Sequence, residues 1–97
     1  MALAPRRWAA DLLHVWFEDL GPGDWFGSAP QVDSMLARRF ARTLDALHTQ
    51  SAESFLTDPK LARAAILLFD QVPRNIYRGS AQAYAFDPLA LTLCYGT

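Results

Sequence analysis

The chain has 97 residues, enough for one hydrophobic core and too few for two, so it is read as a single domain over 1–97. Its 52% apolar content excludes disorder, and 9 basic against 10 acidic residues leave no net field to draw in nucleic acid or an acidic membrane. One cysteine, Cys94, excludes an internal disulfide framework and fits a reducing, cytoplasmic setting.

No uncharged stretch of signal-peptide length follows Arg6 and Arg7, because Asp11 comes straight after Trp8-Ala9-Ala10. The longest purely apolar run, Ala64 to Phe69, is far short of a membrane span.

In chain order, residues 5–20 read as a helix. Pro5 suits its first position, Trp8, Leu12, Val15 and Trp16 recur at helical spacing, and Leu13, Phe17 and Leu20 widen the apolar face. Gly21-Pro22 stops it. The loop 21–29 carries Trp25 and Phe26, which either plug the first helix or, with Trp16, wall a pocket. Residues 30–48 read as a second helix with an apolar stripe of Val32, Met35, Leu36, Phe40, Leu44 and Leu47. Arg38, Arg39 and Arg42 form its solvated side. After a polar connection anchored by Phe55-Leu56, Asp58-Pro59 opens a third helix, aspartate as cap and proline as first residue. It is apolar on two faces and so is expected to be central. Pro73 is expected to break it. Gly79 and Ser80 end and restart the chain direction, and Asp87-Pro88 repeats the start signal before an apolar segment, Leu89 to Tyr95. Prolines 30, 59 and 88 are 29 residues apart, a weak sign of stacked helical hairpins. No sustained period-2 alternation competes. The expectation is an all-α antiparallel array of about five helical segments.

Chemistry has one place to sit. Asp70, Gln71, Arg74, Asn75 and Arg78 follow the central helix, and so many polar groups at the end of a core helix either satisfy one another or bind something. With Pro73 between them, Asp70 and Arg74 are expected to meet through a turn and not through helical register. As a closed network they are structural. As an anion site, Arg74 and Arg78 would fork onto a carboxylate or phosphate with Asp70 as base. No metal-ligand spacing, phosphate loop or nucleophile motif is present, so no metal and no cofactor are expected. His14 reads as a packed or surface residue, and Cys94 as a small core residue.

The run Leu67-Leu68-Phe69-Asp70-Gln71-Val72-Pro73-Arg74-Asn75-Ile76-Tyr77-Arg78-Gly79-Ser80-Ala81 resembles the hallmark of bacterial domain-of-unknown-function family 924. Val15-Trp16-Phe17 with Leu20-Gly21-Pro22, then Asp24-Trp25-Phe26, and Ala83-Tyr84-Ala85-Phe86-Asp87-Pro88 fit it in the same order. Val72 departs from the family's usual phenylalanine. The resemblance implies a tetratricopeptide-like helical fold and no established activity, substrate or cofactor. It also implies longer relatives, of which this chain would be the first half, truncated. Two functions follow as expectations. One is a non-catalytic module that binds a protein or peptide, or self-associates through exposed apolar helices. The other is an enzyme or enzyme remnant taking a small anion at Asp70, Arg74 and Arg78.

Overall fold

The computed structural model describes residues 7–21, 23 and 30–96, and all statements below concern those. Four α-helices follow one another: α1 (Trp8–His14), α2 (Pro30–Leu47), α3 (Pro59–Ile76) and α4 (Asp87–Gly96). A π-helical turn, Val15–Asp19, extends α1, and short 3₁₀ turns, Ala52–Phe55 and Ala81–Tyr84, precede α3 and α4. No described residue is in a strand, and the chain is all-α.

α3 is the hub and touches α1, α2 and α4. Its small alanines let neighbours approach closely: Ala62, Ala64 and Ala65 are buried, while Leu68, Phe69 and Val72 fill the centre. α2 lays Leu36, Phe40, Leu44 and Leu47 onto it, with Arg38, Arg39 and Arg42 in solvent. α1 contributes Trp8 and Leu12, and its π turn adds Val15 and Trp16. The anchor Phe55 sits edge-on to Trp8 (6.4 Å) and to Phe69 (5.5 Å).

The start of α3 is built as its Asp-Pro signal predicts. Asp58 Oδ2 accepts from the Leu61 N–H at 3.0 Å, with Pro59 as the first helical residue. Ser80 Oγ accepts from the Gln82 N–H at 3.1 Å. Gly79 takes φ 83°, the left-handed conformation that reverses the chain after α3.

Four expectations need correction. First, Pro73 does not break α3, which runs on to Ile76. The proline lies in the last turn, so its missing N–H costs only the Phe69 carbonyl a donor. Its ring is fully buried beside Val72, and that burial offsets the loss. Second, and in consequence, Asp70 and Arg74 meet through helical register after all, as an i,i+4 pair. Third, the first helix is not α-helical to residue 20. The Leu20 N–H bonds the Val15 carbonyl at 2.9 Å, five residues back, and the wider turn buries Val15 and Trp16 together while Phe17 goes to solvent. Fourth, Cys94 is exposed and not in the core, because α4 is covered on one side alone, through Ala90 and Leu93.

The helices also reveal a repeat that the prolines only hinted at. α2 and α3 have 18 residues each and start 29 residues apart, and the two 3₁₀ turns repeat at the same interval. Behind this lies a nine-residue sequence echo, Ser51-Ala52-Glu53-Ser54-Phe55-Leu56-Thr57-Asp58-Pro59 and Ser80-Ala81-Gln82-Ala83-Tyr84-Ala85-Phe86-Asp87-Pro88. Serine, alanine, an aromatic, aspartate and proline recur in register: the serine ends the preceding connection, the aromatic sits in the 3₁₀ turn, and Asp-Pro opens the next helix.

Candidate functional site

The last two turns of α3 and the turn after it carry all five polar residues singled out above, but the fold divides them. One group faces α4. Arg74 Nη1 donates to Asp70 Oδ1 at 2.5 Å and also to the Asp70 carbonyl, and its Nη2 donates to Asp87 Oδ2 at 3.2 Å. Gln71 Nε2 donates to the other Asp70 oxygen at 2.6 Å. The Arg74 guanidinium lies over the Tyr84 ring, 5.1 Å from its centre, where the ring's negative face attracts a cation.

The second group faces α2. Arg78 grips Asp33 with two N–H groups, Nε to Oδ2 at 2.8 Å and Nη2 to Oδ1 at 3.0 Å. The buried Asn75 adds its Nδ2 to Asp33 Oδ1 at 3.0 Å. The Arg78 hydrogen bonds hold the Asp33 carboxyl below the usual aspartate range. Burial opposes this and the Asn75 bond assists it. The same contact raises the Arg78 pKa.

Arg74 and Arg78 therefore serve different carboxylates and do not converge on one point. Asp70 has both oxygens engaged. The bonds run from the start of α2 to the end of α3, and from the end of α3 to the start of α4, so neighbouring helices are antiparallel and tied at this end. Three members escape a reading of the sequence. Asp33 sits in the first turn of a helix with no local partner, and its bonds reach 42 and 45 residues ahead. Asp87 reads as a cap but is the first helical residue, with its side chain given to Arg74. Tyr84 carries no signal by itself.

Beside the first group runs an open, largely apolar groove of about 560 Å³, lined by Asp70, Asp87, Pro88, Ala90, Leu91 and Cys94. Asp87 Oδ1 is buried and has no hydrogen-bond partner among the described residues. Trp16 is buried and is not part of this wall. Trp25 and Phe26, proposed with it, lie outside the described residues. No three described His, Cys, Asp or Glu side chains gather at metal-binding distance.

The architecture recurs in a solved structure, the protein of unknown function ATU0120 from Agrobacterium tumefaciens. It shares 34% identity with this chain at a TM-score of 0.83. The match covers 91% of this chain and 49% of that one, so this chain spans about half the length of that protein. No curated protein matches. Residues 12–97 match the family described as bacterial protein of unknown function (DUF924), and they include both polar groups and the whole of α2, α3 and α4. With that match over most of its length, the chain belongs to the DUF924 family.

Proposed function

We propose that the chain is a non-catalytic helical module, tetratricopeptide-like in its stacking, that binds a protein or peptide segment in the groove along α4. One observation carries this reading. The cations that an anionic substrate would need, Arg74 and Arg78, are already engaged by carboxylates of the chain itself, whereas the apolar groove beside them is open. In this reading Asp70, Gln71, Arg74, Asn75 and Arg78 are braces that hold the groove's walls. A small anion acting as substrate at Asp70, Arg74 and Arg78 would first have to break those pairs. The single cysteine supports a cytoplasmic setting, and no described helix is long and apolar enough to cross a membrane.

Two titrations test it. Thermal unfolding with inorganic phosphate and with succinate should show no stabilisation. A rise in Tm with either anion that disappears in Arg74→Ala would overturn the module in favour of an anion site. Amphipathic helical peptides, added to isotope-labelled protein, should shift the resonances of Ala90, Leu91 and Tyr95 before those of α2.

A further inference from the structure

We draw no further inference here: the strongest candidate, the open apolar face of α4 with Leu91 and Tyr95 exposed beside the groove, carries nothing beyond the binding already proposed for that groove, because nothing in the structure shows what covers it.

Discussion

Two aspartate–arginine pairs at one end of the bundle differ in what they hold. Arg74 and Asp70 are neighbours on one helix, and each side chain is about a third exposed. Solvent screens such a pair, so a double-mutant cycle on Asp70→Ala and Arg74→Ala should return a coupling of only about 0.3–1 kcal/mol. Asp33 joins two helices and also satisfies the buried amide of Asn75. Asp33→Ala leaves that amide without an acceptor and should cost about 1–3 kcal/mol in denaturant unfolding. The pH dependence follows from the sign of the shift. The folded carboxyl of Asp33 is more acidic than the unfolded one, so its contribution is complete above the ordinary aspartate pKa, about 3.9, and is lost as pH falls through the depressed folded value. The stability gap between the native chain and Asp33→Asn should therefore be constant above about pH 5 and close below about pH 4. A gap that closed near neutrality would assign it to another group. The Asp70 group was legible because its members are sequence neighbours. Asp33 was not, because nothing near residue 33 announces partners more than 40 residues away.

At the scale of elements, starts were legible and one stop was not. Asp-Pro is a local device whose cap bond and fixed φ act within one turn, so α3 begins where the dipeptide places it. Asp58→Ala should cost about 1 kcal/mol, typical of a lost cap. Pro73 is a local breaker as well, but its effect competes with tertiary burial, and burial of Pro73, Val72 and Asn75 prevails. α3 ends at Ile76, and Gly79, three residues on, takes the positive φ that sends the chain toward Ser80 and the second 3₁₀ turn. A Cβ there would meet no atom within 4 Å, so Gly79→Ala tests backbone conformation alone. It should destabilise by roughly 1 kcal/mol, and Gly79→Asn by less, since asparagine tolerates the left-handed region better. Equal losses for the two would mean that the side chain, and not φ, is the obstacle. The π turn had no readable signal. The broad apolar face of residues 8–20 is compatible with an α-helix, and only packing against α3 decides that Val15 and Trp16 are buried while Phe17 is not.

At the scale of the whole molecule, α3 carries a disproportionate share of the fold. α1, α2, α4 and the Phe55 turn all pack onto it, while contacts among the others are few, so removing α3's centre unfastens everything at once. The central position was legible from its two apolar faces. The repeat stands in the sequence as the prolines and the Ser-Ala, aromatic and Asp-Pro echo, but the exposure that separates Tyr84 from Phe55, or Leu91 from Ala62, is a property of neighbours and not of residue type. Phe69, fully buried against Phe55, is the sharpest probe. Phe69→Ala should cost about 3–5 kcal/mol, a large part of the 5–15 kcal/mol that domains of this kind possess. Native-state hydrogen exchange should then order the helices. Amides of Ala64 to Phe69 should exchange only through global unfolding, and their protection should fall by the full cost of Phe69→Ala. The last turn of α4, covered on one side by Leu56 and open on the other, should exchange at a lower free energy and be insensitive to that substitution. Equal protection of α3 and α4 would instead mean that α4 is held by its single covered side as firmly as the hub.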